Sequence, residues 1–175
     1  MSSLPPPSPL SPQPQHYFVS VGSNINREES IHHALLALEE AFAPITRSSL
    51  YESEAVGFTG ENFYNLVVAF FTPRPYTEVN QTLARIEEKC GRVRTADRFS
   101  PRTLDLDLIL VGEEVIQQPQ LTIPRGEIVT NAFVLLPLAE IAPNLCHPLL
   151  RRSYRELWQE MERDNCQRLW KIPYP

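Results

Sequence analysis

The segment Gly91–Gly112, GRVRTADRFSPRTLDLDLILVG, sets four arginines (Arg92, Arg94, Arg98, Arg102) ahead of Asp105, Asp107 and the apolar run Leu108 to Val111. A short apolar run bounded by a glycine reads as a buried strand. Side chains alternate along a strand, so Asp105 and Asp107 share one face of it. Two carboxylates on one rigid face make a hard oxygen site suited to Mg²⁺. Guanidinium groups beside them match phosphate oxygens two at a time. The segment therefore predicts a site for Mg²⁺ and a nucleotide polyphosphate. The plainer alternative is a solvated cluster of ion pairs, which contributes little. Against it, both aspartates adjoin an apolar strand, where unpaired charge is costly. Pro101 stiffens the approach, and the arginines outnumber the acids locally. An Asp-x-Asp pair alone is unspecific.

Working outward, Thr77–Cys90 reads as a helix with Val79, Leu83, Ile86 and Cys90 as its apolar stripe and Gly91 as its stop. Glu87 falls in the last turn, where the helix dipole disfavours an acid. It is either a solvated helix face or a carboxylate with an arginine or ligand as partner. Phe63–Phe71 (FYNLVVAFF) reads as a strand buried on both faces, with Asn65 its odd polar residue. Asn65 must find partners, either the neighbouring backbone or a ligand amide. Thr46–Ser53 and Tyr17–Val21 read as further strands, and Gly22-Ser23-Asn24 as a turn. Asn26 and Glu29 have capping-box spacing, opening a helix with Ile31, Ala34, Leu35, Leu38 and Phe42 on one face.

Thr95–Arg102 has no apolar period and reads as a loop containing Phe99. Gly112–Leu121 reads as a turn and short strand, followed by Thr122-Ile123-Pro124. Thr130–Leu138 reads as a helix or buried segment, and His147 as structural or surface. Ser153–Arg163 reads as a helix capped by Ser153 and Glu156, with Leu157, Trp158 and Met161 as its apolar contacts. The final LWKIPYP carries no legible chemistry.

The first fifteen residues hold six of the seventeen prolines and no charge. That composition predicts a disordered Pro/Ser-rich tail over 1–15, with a polyproline ligand as the alternative. One domain is expected over 16–175. A net charge of −5 speaks against a general nucleic-acid binder. No apolar run reaches membrane-spanning length, and no signal-peptide pattern is read. Three widely spaced cysteines, Cys90, Cys146 and Cys166, suggest neither a disulfide framework nor a zinc site. A reducing cytoplasm and a monomer are the expectation.

The full segment, Gly91-Arg92-Val93-Arg94, Phe99, Pro101-Arg102-Thr103 and Asp105-Leu106-Asp107, resembles the signature of the 6-hydroxymethyl-7,8-dihydropterin pyrophosphokinases of folate synthesis. The strand, Gly-Ser-Asn turn and helix at the start, and Phe63-Tyr64-Asn65, are similar to the same family. The resemblance covers about residues 17 to 160. It implies an α+β fold, a ferredoxin-like antiparallel sheet with helices packed mainly on one side, and β, α, β, β, α, β is the order read here. It implies transfer of diphosphate from ATP, the co-substrate, to the pterin hydroxymethyl group, giving AMP.

It further implies that Asp105 and Asp107 hold Mg²⁺, two ions in all, and that Arg92, Arg102 and Asp107 are catalytic. Ser53, Val56, Phe63, Asn65, Phe99 and Phe133 would hold the pterin. Glu87, Arg92, Arg94, Arg102, Thr122 and Arg125 would hold ATP. This chain departs from the family at Pro124-Arg125, where Pro-His is usual, at Asn131, where an arginine is usual, and at Ser53-Glu54, where Thr-Pro is usual. Those departures keep two alternatives open: a catalytically weak or inactive pterin- and nucleotide-binding relative, and an enzyme for a related pterin. An RNA-binding module on the same topology is a third, opposed by the acidic balance.

Overall fold

The computed structural model describes residues 12–55, 60–91 and 104–175. Expectations for the tail up to residue 11, and for Val56, Arg92, Arg94, Phe99 and Arg102, lie outside the described residues.

The chain opens with β1 (Gln15–Ser23) and α1 (Arg27–Phe42), then β2 (Ile45–Arg47), β3 (Leu50–Ser53) and β4 (Phe63–Thr72). Next come α2 (Tyr76–Lys89), β5 (Asp105–Val111) and the hairpin β6 (Ile116–Gln118) and β7 (Leu121–Ile123). It closes with α3 (Glu127–Thr130), α4 (Ala132–Ile141), α5 (Tyr154–Asp164) and β8 (Leu169–Ile172). The main sheet runs β5-β1-β4-β3-β8, antiparallel throughout, with β2 also on β4. Without β8 this is the ferredoxin-like order, in which α1 carries the chain past β4's place and β4 fills the gap.

Alternation along β1 and β4 sends side chains to two cores. Tyr17, Val19, Val21, Leu66, Val68 and Phe70 meet Ile31, Leu38, Val79 and Leu83 of α1 and α2. Phe18, Val67, Ala69, Ile109 and Leu110 meet Val134, Leu135, Leu138, Tyr154 and Leu157 of α4 and α5. Burial on both faces explains the nearly unbroken apolar run of β4. The two longest helices share one side as expected, and the shorter α4 and α5 form a second layer on the other.

Two local expectations are corrected, and the C-terminal segment adds a strand. Asn26 precedes α1 in the left-handed region (φ 47°) and its side chain makes no cap bond, so no capping box forms there. The strand read as Thr46–Ser53 is broken in two. Ser48 is buried, and its hydroxyl accepts the Val67 N–H at 3.0 Å, letting β2 and β3 pair with separate parts of β4. The C-terminal segment, in which no chemistry was legible, forms β8 and widens the sheet beside β3. The box at Ser153 and Glu156 does form, and Gly91 ends α2 with a φ of 79°.

Candidate active site

The register places the candidate side chains in rows across one face. Tyr51 pairs with Asn65, Asn65 with Gly22, and Gly22 with Asp105. The next row is Val67, Ser20 and Asp107. On the other side of the Asn65 row, Ser53 pairs with Phe63. Cross-strand partners point to the same face. Val67 belongs to the α4/α5 core, so Asn65, Asp105, Asp107, Ser53 and Phe63 stand on that same face.

Between Asn65 and Asp105 the row has no side chain, because Gly22 stands there. A Cβ at Gly22 would lie 3.5 Å from Asn65 Oδ1. The row therefore holds a trough between an amide on β4 and a carboxylate on β5, two strand spacings or roughly 10 Å apart.

Asn65 is buried and its amide donates to Ser53 Oγ at 2.7 Å. Asn65 thus bonds a side chain on the neighbouring strand. Ser53 also lines a cavity of about 150 Å³ together with Glu54, Ala55, Phe133 and Cys166–Leu169. Two residues that the resemblance assigns to the pterin, Ser53 and Phe133, thus line one cavity. Glu54, the extra charge at its rim, is paired with Arg168 at 3.2 Å.

At the other end of the row, burial and then the charge of Asp105 push the Asp107 carboxyl up to about 7, with Arg125 pulling the other way. The Arg125 guanidinium is 3.8 Å from Asp107 and donates to Glu127 at 2.8 Å. Asp107 keeps 38% of its side-chain surface open. The open Asp107 carboxylate, with a second carboxylate on the same strand face, fits a hard divalent cation. Among the described residues no cluster of three or more His, Cys, Asp or Glu able to hold a metal is present. Further ligands at Asp105 and Asp107 would be phosphate oxygens and water.

Glu87 is 5% exposed, which overturns the solvated-face reading. Its carboxylate accepts the Leu106 N–H at 2.7 Å. β5 is an edge strand, and its outward N–H groups need a partner when buried. Glu87 supplies one between the two aspartates. Thr122 stands exposed on β7, three residues before Arg125, and is not drawn into the row. His147 is structural: it is 5% exposed and its Nδ1 accepts the Leu149 and Leu150 N–H groups, each at 3.2 Å.

Residues 18–143 match the family described as 7,8-dihydro-6-hydroxymethylpterin-pyrophosphokinase. A 2-amino-4-hydroxy-6-hydroxymethyldihydropteridine pyrophosphokinase of Synechocystis is 38% identical over 159 residues, covering 88% of this chain and 78% of the relative. A Pseudomonas aeruginosa protein of the same name is 40% identical over 140 residues, 77% of this chain and 85% of that one. Among solved structures, Plasmodium falciparum HPPK-DHPS wild type with pterin and p-hydroxybenzoate superposes at a TM-score of 0.64 and 13% identity. The likeness covers 90% of this chain and 45% of the Plasmodium one, so the chain spans less than half of that larger protein, and at this identity the match speaks for the fold alone.

Proposed function

This chain belongs to the 7,8-dihydro-6-hydroxymethylpterin-pyrophosphokinase family and transfers diphosphate from ATP to the hydroxymethyl group of 6-hydroxymethyl-7,8-dihydropterin in folate biosynthesis, and we propose that it does so across the polar face of its sheet. The observation carrying this reading is the row Asn65–Gly22–Asp105, which runs from the cavity at Ser53 to the carboxylate pair.

The pterin lies with its ring toward Phe133 and Ser53, and Asn65 and Ser53 read its amide-like edge. Phe63 stands on the same face, and the resemblance adds Phe99 and Val56, which lie outside the described residues, to the pterin contacts. The hydroxymethyl group points along the open backbone at Gly22 toward Asp105. There is room for it because Gly22 contributes no side chain.

ATP lies on the β5 side. Asp105 and Asp107 would hold Mg²⁺, two ions together with the phosphates, which would supply charge screening for the triphosphate. Arg125, beside Asp107, and Arg92, Arg94 and Arg102 neutralise the triphosphate, and Thr122 adds a rim contact. Arg92 and Arg102 meet the charge that develops as the bond to the α-phosphate breaks. Glu87, assigned to the nucleotide by resemblance, serves the site by fixing the Leu106 backbone between the aspartates. Most of the rate comes from positioning and charge neutralisation.

The family's usual His and Arg are replaced by Arg125 and Asn131, and the position of Arg125 supports its taking over a phosphate contact. The protein acts as one domain over 16–175, a cytoplasmic monomer whose partners are ATP and the pterin. No helix among the described residues is long and apolar enough to cross a membrane. The test is incubation with ATP, Mg²⁺ and 6-hydroxymethyl-7,8-dihydropterin, following AMP. AMP that requires all three is the expected result. AMP formed equally without added divalent metal would overturn the carboxylate assignment.

A further inference from the structure

One wall of the cavity is built from Cys166 to Leu169, residues beyond the 18–143 stretch that matches the family. Within this wall Gln167 reaches back to the start of α4. Its Oε1 accepts the Ala132 N–H at 2.8 Å, and its Nε2 donates to the Thr130 carbonyl at 3.0 Å. The first N–H groups of a helix have no partner inside it. Asn131, at the cap position, makes no side-chain cap bond, so Gln167 does this work from the C-terminal segment.

The start of α4 needs such a hold. Pro137 lies inside the helix and has no N–H to give the Phe133 carbonyl four residues earlier. Gln167 is itself fixed. Its N–H donates to Asn165 Oδ1 at 2.9 Å, and its carbonyl accepts from Asn165 Nδ2 at 2.9 Å. Just beyond, the Arg168 carbonyl accepts the Glu54 N–H at 3.3 Å and Leu169 pairs with Ser53. The C-terminal segment thus grips both walls that carry Ser53 and Phe133.

We propose that Gln167 is a positioning residue for the pterin, holding the first turn of α4 so that Phe133 and Ser53 line one pocket for the ring. This rests on the reading of that cavity as the pterin pocket. The C-terminal segment, through Gln167 and the Arg168–Glu54 pair, then sets which pterin is accepted, while the ATP side is left to β5 and Arg125.

The experiment compares full-length Gln167→Ala, Gln167→Glu and Phe133→Ala, measuring kcat and both KM values, pterin binding by fluorescence and thermal stability. Loss of two hydrogen bonds predicts a pterin KM raised about tenfold in Gln167→Ala, with the ATP KM and kcat within about twofold. Gln167→Glu keeps an acceptor for the Ala132 N–H and is expected to recover much of the loss. If Phe133→Ala raises the pterin KM and Gln167→Ala does not, the positioning role is overturned and the pocket stands. If Gln167→Ala impairs ATP and pterin kinetics equally, Gln167 is only structural and the proposal is overturned. If Phe133→Ala leaves pterin binding unchanged, the pocket reading itself fails, and the proposal with it.

Discussion

The two faces of the sheet use the same strands differently. On the α1/α2 side the apolar rows run from Tyr17 through Val21 and from Phe70 through Leu66. On the α4/α5 side the apolar rows at Phe18 and Ala69 give way, within the same strands, to Ser20, Gly22, Asn65, Asp107 and Asp105. One face is spent on stability along its whole length, while the other is covered for part of it and left polar for chemistry. The bulge opposite Phe18 and Val19 lies near that change, and it puts Ile109 and Leu110 into the same core. A site of this kind inherits rigid strands from the stable face, and it carries the partly buried Asp107 carboxylate on them and the buried Glu87 carboxylate beside them.

Mutations on the two faces should separate activity from stability. The largest expected effect is on the polar face: Asp107→Ala lowers turnover about 10³-fold, since metal-held charge neutralisation is lost. Its circular dichroism and melting temperature should stay near those of the parent protein. Near-normal turnover would remove Asp107 from the metal site. On the other face, Leu83→Ala should cost about 2–5 kcal/mol of stability by leaving a cavity. Steady-state kinetics on its folded fraction should give unchanged KM values, and a selective rise in either KM would blur the division between the faces.

Gly22 sharpens the comparison because it lies between the two functional ends of one row. Gly22→Val would fill the trough and is expected to lower kcat/KM for the pterin by roughly 10–100-fold, the scale of a small misplacement of reacting groups. Gly22→Ala places a Cβ in ordinary contact, 3.5 Å from Asn65 Oδ1, without a positive φ to strain. It should change kcat/KM by about twofold or less, within the effect of a tolerated substitution. A Gly22→Val enzyme as active as Gly22→Ala would mean that the substrate does not cross that backbone.

The smallest effect concerns the loop before α5, which belongs to the helical cover. Burial lowers the His147 pKa from 6.5, so the unfolded chain binds a proton more readily than the folded one. Stability from the neutral ring is present above pH 6.5 and is lost as pH falls through the lowered folded value, with a limiting slope of about 1.4 kcal/mol per pH unit. Urea melts at pH 7 and pH 5 carry this effect together with those of His16, whose pKa burial also lowers, and Asp107, whose pKa is raised, so the His147 part is read as the difference from a variant lacking the ring. His147→Asn, which keeps an acceptor for the Leu149 and Leu150 N–H groups, should reduce the difference. An unchanged difference would place the pH sensitivity elsewhere.

The apolar periods of α1 and α2 were legible because 3.6-residue repeats such as Ile31, Leu35, Leu38 and Val79, Leu83, Ile86 have one packing solution. The shared face of Asp105 and Asp107 was legible for the same kind of reason, the period of a strand. The two capping patterns show the limit. Both Ser153/Glu156 and Asn26/Glu29 have the spacing, and only the first has the extended backbone that lets its side chain turn back. Glu87 advertised itself as an acid at the wrong helix end, and its partner was hidden because Leu106 lies nineteen positions away on another element.

By itself, the sequence determined the α+β class, the family, the two long helices and the shared strand face of Asp105 and Asp107, since these rest on local periods and on a contiguous motif. The tertiary structure decided that Asn65 and Asp105 share a row across Gly22, that Arg125 stands beside Asp107, and that Gln167 holds the helix carrying Phe133. Such contacts depend on strand register and chain return over long separations, and neither leaves a mark in the spacing of neighbouring residues.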